Sequence, residues 1–240
     1  MEYLFVLVVG LVAGTLGGIV GFGSSIMLMP VLVVAFGPKE AVPIMALASL
    51  MANVSRVLAW WRQVDWRACF AYAVTAMPAA ALGALTLLVL PTRVIEIALG
   101  IFFIGMIWVR RWLAARNMRV RLWHLAASGL AIGFITGIVV STGPITVPIF
   151  LAYGLVKGAF IATEAAGSVA VYASKVVVFR TFGALPVDTI VRGLITGSTL
   201  VAGSFMAKRF VIAIPAERFR VLMDAIMFLS GATMLWSALR

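Results

Sequence analysis

Apolar runs follow one another almost without interruption, at residues 3–22, 24–36, 40–61, 66–90, 92–113, 122–140, 143–154, 158–180, 187–206 and 217–239. That succession constrains the fold more than any motif does, because about 20 apolar residues in a helix cross a hydrocarbon core of about 30 Å. Gly37-Pro38, Pro91, the Arg-rich stretch 110–121, Pro186 and Pro215 punctuate the runs. Hydrophobic residues make up 64% of the chain and charged residues 11%, which is too little polar surface to cover a soluble core. Disorder requires low hydrophobicity and is excluded. A transmembrane barrel would alternate apolar and polar residues, whereas these runs are apolar on every face. The expected fold is all-α, a polytopic helical membrane protein with the lipid bilayer as its surroundings and no soluble domain. The N-terminal run lacks a basic leader and a clear cleavage site and is too long for a signal peptide, so it reads as a retained helix.

Two runs, 24–36 and 143–154, are too short to span. Each follows a glycine-rich break and precedes a full-length run. The sequence also repeats at an offset of 119 residues: Gly14 meets Gly133, Gly18 meets Gly137, Ala46 meets Ala165, Ser49 meets Ser168, Ser55 meets Ser174, and Arg56 meets Lys175. A shared Ala and Gly bias accounts for some matches but not for Ser-Arg opposite Ser-Lys in register with the glycines. The expected organisation is a first transmembrane repeat over 1–113, a basic linker over 114–121, and a second repeat over 122–240.

Lys and Arg number 19 against 8 acids, a net charge of +11. In this chain the excess reflects the positive-inside rule rather than nucleic acid, for which no partner role is expected. Arg110, Arg111, Arg116, Arg119 and Arg121 place the central loop in the cytoplasm. If each short run is the return arm of a hairpin, Arg62, Arg67, Lys157, Lys208, Arg209, Arg218 and Arg220 are cytoplasmic too. Lys39, Arg93, Arg180, Arg192 and Arg240 then lie outside, with both termini. A completed crossing at the short runs would put the 207–220 cluster on the wrong side. The hairpin scheme gives each half a broken hairpin and three spans, so the halves are inverted. Trp60, Trp61, Trp66, Trp112 and Trp123 flank the loops read as cytoplasmic, as interfacial anchors do.

The first candidate site is the break Gly21-Phe22-Gly23-Ser24-Ser25, with its second copy at Ser141-Thr142-Gly143-Pro144. Glycines four apart commonly serve helix packing, but the clustered Gly21, Gly23, Ser24 and Ser25 exceed that need. A glycine turn opening a short helix presents N–H groups and a positive dipole end to an anion. Broken segments at corresponding positions of two inverted halves mark a transporter binding site. The second candidate is a polar stripe on the helix after each hairpin. Ser49, Asn53 and Arg56 share one face, and Glu164, Ser168, Tyr172 and Lys175 share another. Arg56 and Lys175 either snorkel to the interface or contact an anion. Glu164 either forms a structural ion pair or carries a coupling proton, and the same alternatives hold for Glu96 and Asp224. The single Cys69 excludes an internal disulfide, and the lone His124 forms no histidine metal site. No cofactor or metal is expected. No HExxH, GxSxG or P-loop is present, so no enzyme activity is expected.

The glycine-rich first run into Gly21–Ser25 and Pro30, the Ser49–Arg56 helix followed by Val64-Asp65-Trp66-Arg67, and the second glycine motif from Gly133 to Pro148 together resemble the sulfite exporter TauE/SafE family, also called the TSUP transporters. The resemblance covers nearly the whole chain. It implies a multi-pass inner-membrane carrier, usually an exporter, for small sulfur-containing oxyanions or organosulfonates. Where the family carries glycine runs, Ser-Ser follows Gly23 here and the second copy reads Val-Val-Ser-Thr-Gly-Pro; hydroxyls also bind oxyanions. The expected function is secondary transport by alternating access, with the anion near the midplane between the hairpin tips. An anion channel or a non-transporting membrane assembly would use the same sequence features. A homo-oligomer is compatible with all of these.

Overall fold

The structure is a computed structural model that describes residues 2–20, 24–115, 119–139 and 142–210, and helical positions 221, 224–225, 228–229, 231–232 and 235–236. The described residues form α1 (Glu2–Val20), α2 (Ser24–Phe36), α3 (Pro38–Trp60), α4 (Trp66–Val89), α5 (Thr92–Ala115), α6 (Leu122–Ile138), α7 (Gly143–Ala152), α8 (Lys157–Thr181) and α9 (Val187–Phe210). A short 3-10 turn at Trp61–Gln63 links α3 to α4. Among the described residues five helices are long and apolar enough to cross a membrane. Outward-facing Val34, Leu58, Val74, Leu130 and Val177 are exposed, an apolar surface suited to lipid rather than water. The protein is a multi-pass helical membrane protein, as its apolar runs require. The helix boundaries fall close to those runs, although α5 continues to Ala115, into the expected linker.

Local chemistry sets the ends. At the α2–α3 reversal Gly37 adopts φ 76°, a conformation that side chains with a Cβ rarely take. Asp65 caps α4 by accepting hydrogen bonds from the N–H groups of Arg67 and Ala68 at 3.0 and 3.1 Å. The short helices α2 and α7 are each followed at once by a long helix. They cover only about 20 and 15 Å at 1.5 Å per residue, less than a bilayer core.

The helices pack reciprocally. α4 lies along α6 and α1 along α9, while α3 contacts α8 and α9, and α8 also contacts α4. Small residues make the two closest pairs possible. Along α6, Gly129 faces Tyr72 and Thr75, Gly133 faces Ala76, and Gly137 faces Ala80 and Gly83 of α4. Along α1, Gly10 faces Thr199 and Gly14 faces Leu200, while Gly203 sits against Leu11, Gly14 and Thr15. Gly14, Gly133 and Gly137 of the repeated motif are therefore packing glycines. Residue numbers rise together in both pairs, so each pair runs parallel.

That parallel order shows where each hairpin opens. The amide N–H of Val120 donates to the Ala152 carbonyl at 3.2 Å, so α7 ends where α6 begins. Gly158 sits against Trp60 and Gln63, and the Asp65 N–H donates to Thr163 Oγ1 at 2.9 Å, at the same end. At the other end Arg192 pairs with Glu40 at 2.6 Å and lies over the Phe36 ring, joining the end of α2 and the start of α3 to the start of α9. Since α1 runs parallel to α9, it also starts there. The two hairpins open at opposite ends of the bundle. Arg62, Arg67, Arg119 and Arg121 gather at one end and Lys39, Arg93 and Arg192 at the other. Trp61, Trp66 and Trp123 are exposed beside the first group. The expected 207–220 basic loop falls outside the described residues over 211–220.

The close α4–α6 approach yields a test. Gly133→Leu should abolish the monodisperse, detergent-purified protein, because a side chain there meets Ala76 backbone that cannot move aside; overpacking costs about 1–3 kcal/mol even where neighbours yield. Gly105→Leu should be tolerated, since no described atom lies within 4 Å of a Cβ at that position. Size-exclusion profiles of the two variants check this.

Candidate functional site

α2 and α7 both begin in the interior, so their N-terminal ends are unlike ordinary helix starts at a surface loop. The dipole leaves the N-terminal end of a helix positive; in α7 Pro144 carries no N–H and the N–H groups of Ile145 and Thr146 donate to the Thr142 carbonyl at 2.8 and 3.0 Å. Both starts open on one cavity. Ser24 and Ser25 line it from α2, Thr142, Gly143 and Thr146 from the start of α7, Ser49, Asn53 and Arg56 from α3, and Glu164, Ser168 and Tyr172 from α8. Tyr72 of α4 and Thr136 of α6 complete its polar wall. Ser49 and Ser168 sit near the middle of their long helices, so the cavity lies about half-way along the bundle. The centre of a water molecule has about 20 Å³ to move in. A single water needs roughly 10–15 Å³ by that measure, so the cavity is small.

The polar groups hold one another in place. Ser25 and Ser49 hydroxyls are 3.2 Å apart, tying α2 to α3. Asn53 Nδ2 donates to the Ser49 carbonyl at 2.7 Å, which aims its Oδ1 at Arg56; Arg56 Nη2 donates to that oxygen at 2.6 Å. The Thr136 hydroxyl donates to the Ile132 carbonyl at 2.6 Å, and Thr142 Oγ1 lies 2.5 Å from Thr136 Oγ1. Thr136 has one proton, so Thr142 supplies the proton between them and bridges the α6–α7 break. Thr146 Oγ1 returns to the Thr142 and Gly143 carbonyls at 3.3 and 3.2 Å.

The cavity contains one charge of each sign. Arg56 Nη1 lies 3.8 Å from Glu164 Oε2, with the two side chains 11% and 7% exposed. That separation is an ion pair but too long for a hydrogen bond. Ser168 Oγ donates to Glu164 Oε1 at 2.9 Å. Glu164 Oε2 is buried and accepts no hydrogen bond among the described residues.

Most of the residues singled out in the sequence meet here: Ser24, Ser25, Ser49, Asn53, Arg56, Thr142, Gly143, Glu164, Ser168 and Tyr172. Gly21, Gly23 and Ser141 lie outside the described residues. Lys175 does not line the cavity. It is fully buried, and its Nζ donates to the carbonyls of Thr136 and Val139 at 2.6 and 3.0 Å. Those are carbonyls at the C-terminal end of α6, where the last carbonyls of a helix have no intrahelical donor. The rings of Tyr172 and Phe179 lie 5.7 and 5.9 Å from the same ammonium. The two cations that the 119-residue offset aligns thus occupy different settings: Arg56 faces the cavity, and Lys175 bonds to carbonyls at the end of α6. Of the other acids, Asp224 pairs with exposed Arg111 at 2.7 Å, far along the chain from the cavity residues.

Sequence reasoning passed over Tyr72, Thr136 and Thr146. Thr146 follows Thr142 by one helical turn, a usable signal. Thr136 was hidden among packing glycines. Tyr72 has no polar counterpart, since Val191 stands at its repeat position. Among the described residues no cluster of His, Cys, Asp and Glu could hold a metal ion.

The family model described as Sulfite exporter TauE/SafE matches residues 6–234. The chain belongs to the TauE/SafE family, whose members are transporters. Neither the curated proteins nor the solved structures contain a match.

The setting of Lys175 generates a stability test. Lys175→Met keeps the bulk but leaves the two α6 carbonyls without their donor, at about 1–3 kcal/mol each. The thermal midpoint in detergent should fall by at least about 5 °C, taking roughly 2–4 °C per kcal/mol for a chain of this size. Exposed Lys39→Met should leave it unchanged.

Proposed function

We propose that this TauE/SafE protein is a secondary transporter, an exporter, of small sulfur-containing anions such as sulfite or organosulfonates, and that it binds them in the cavity between the starts of α2 and α7. One observation carries the reading: two helices that begin in the interior aim their positive ends at the same small polar cavity, which also receives the Arg56 guanidinium. Charge-assisted hydrogen bonds to an oxyanion are short and strong in such a setting, and the Arg fork matches planar or tetrahedral oxygens. Seryl and tyrosyl hydroxyls supply further donors.

The reciprocal helix pairs and the opposite-facing hairpins support two inverted halves related by a twofold axis in the membrane plane. In that arrangement rocking one half against the other exposes the same cavity first to one side and then to the other. The Arg-rich end, with Arg62, Arg67, Arg119 and Arg121, is then the cytoplasmic face of the inner membrane, and the Glu40–Arg192 end faces outward.

The test is binding to the purified protein. A thermal-shift screen against sulfite, sulfate, thiosulfate and isethionate should give concentration-dependent stabilisation by at least one of them. Arg56→Gln should weaken that anion by about tenfold to a hundredfold, since a charge-assisted contact is worth roughly 1.5–3 kcal/mol and 1.4 kcal/mol is tenfold. Arg56→Lys, which keeps the charge but loses the fork, should also be impaired. Stabilisation by none of the four, or equal affinity in wild type and Arg56→Gln, removes the cavity as the anion site.

A further inference from the structure

The cavity described as an anion site contains a carboxylate, and that needs a reason. Glu164 is 5% exposed and its Oε2 accepts no hydrogen bond among the described residues. Burying a carboxylate costs several kcal/mol unless it is paired and its lone pairs are met. Here Oε1 is met by Ser168, and Oε2 has only the Arg56 guanidinium 3.8 Å away. A pure anion site would be better without this group.

The other charged and titratable groups near Glu164 do not relieve it. From α3 only Arg56 faces it; from α4, Tyr72; from its own helix, Tyr172 lines the same cavity. Lys175 is turned to the α6 carbonyls. Asp65, before α4, spends its carboxylate on the N–H groups of Arg67 and Ala68. His124 of α6 accepts from the Arg121 N–H at the far end of that helix. Arg62 of the 3-10 turn is exposed. α2 and α7 carry no titratable side chain.

Arg56 is therefore shared between an internal anion and any that enters. An entering oxyanion that takes the guanidinium fork leaves Glu164 without its counter-charge, and places two negative charges in one narrow, poorly hydrated cavity. Like charges so placed cannot both persist. We propose that Glu164 is a proton-binding site loaded by the transported anion: the anion takes Arg56, and a proton from solvent binds Glu164 Oε2. One proton is taken up per anion bound. A bound monoanion then adds no net charge to the cavity, and a dianion adds one negative charge. The reasoning rests on the anion site proposed above.

The experiment is calorimetric binding to the purified full chain in buffers of different ionisation enthalpy, from pH 5 to pH 9. The probes are thiosulfate, sulfate and isethionate, none of which titrates in that range. The dependence of heat on buffer gives the number of protons taken up. Linkage makes anion and proton favour each other equally. Where Glu164 is ionised in the free protein, about one proton should enter with the anion, and affinity should fall tenfold per pH unit, one proton's worth of linkage. Glu164→Gln should bind the same anion with no proton uptake and with an affinity independent of pH, and Glu164→Asp should restore uptake. Anion binding by wild type without proton uptake overturns this inference and leaves the anion site standing. Proton uptake that persists in Glu164→Gln assigns the proton to another group and overturns it as well. Anion affinity that depends on sodium concentration instead of pH makes the site a sodium site, with the same consequence. No binding by any of the three anions overturns this inference, and the anion site falls with it where sulfite also fails to stabilise the protein.

Discussion

Lipid offers no hydrogen-bond partners, so a helix that stops half-way across a bilayer must have its open backbone groups met by the rest of the protein. This chain stops helices that way twice, before Ser24 and before Gly143, and much of its interior polar chemistry serves those breaks. Lys175 satisfies two carbonyls where α6 ends. The Thr136–Thr142 hydroxyl pair spans the gap to α7, and the Ser25–Ser49 pair fixes the start of α2 against α3. Close glycine-lined packing of α4 on α6 and α1 on α9 keeps the long arm of each hairpin from shifting. What the breaks provide in return is a pair of positive helix ends facing one cavity.

That arrangement explains why so few charges recur inside an otherwise apolar bundle. A lone buried arginine would be costly, and a lone buried glutamate equally so. Placed 3.8 Å apart, they offset each other, yet too loosely to form the two parallel hydrogen bonds that an arginine and a carboxylate make when the pair is purely structural. The guanidinium is held instead by Asn53, whose own orientation is set by the Ser49 carbonyl. A guanidinium held on such a support and facing the cavity is what the proposed anion site requires.

Much of this was legible in the sequence, and for physical reasons. Helix spans follow from apolar run length, and the two short helices from the runs 24–36 and 143–154. The stripe Ser49, Asn53, Arg56 and the stripe Glu164, Ser168, Tyr172 follow from helical spacing, and the structure turns both toward one cavity. Lys175 lies on the latter stripe as well, but spacing along a helix says nothing about how far a long side chain reaches or which carbonyls stand nearby. The glycines were ambiguous for a similar reason: Gly133 and Gly137 share a motif with Thr142 and Gly143, yet the first two serve helix contact and the latter two the cavity. Tyr72 enters from a helix with no polar repeat partner, so only the α4–α8 packing could reveal it.

A cavity served by two inverted half-helices should be reachable from both faces of the membrane in turn. The direct measurement is thiol labelling of Ser25→Cys in a background lacking Cys69, with an impermeant reagent, in right-side-out and inside-out vesicles. Labelling from both sides, slowed on both by the anion that stabilises the purified protein, is the expected result. Labelling from one side only, or labelling that the anion does not slow, would contradict a single alternately exposed site between α2 and α7.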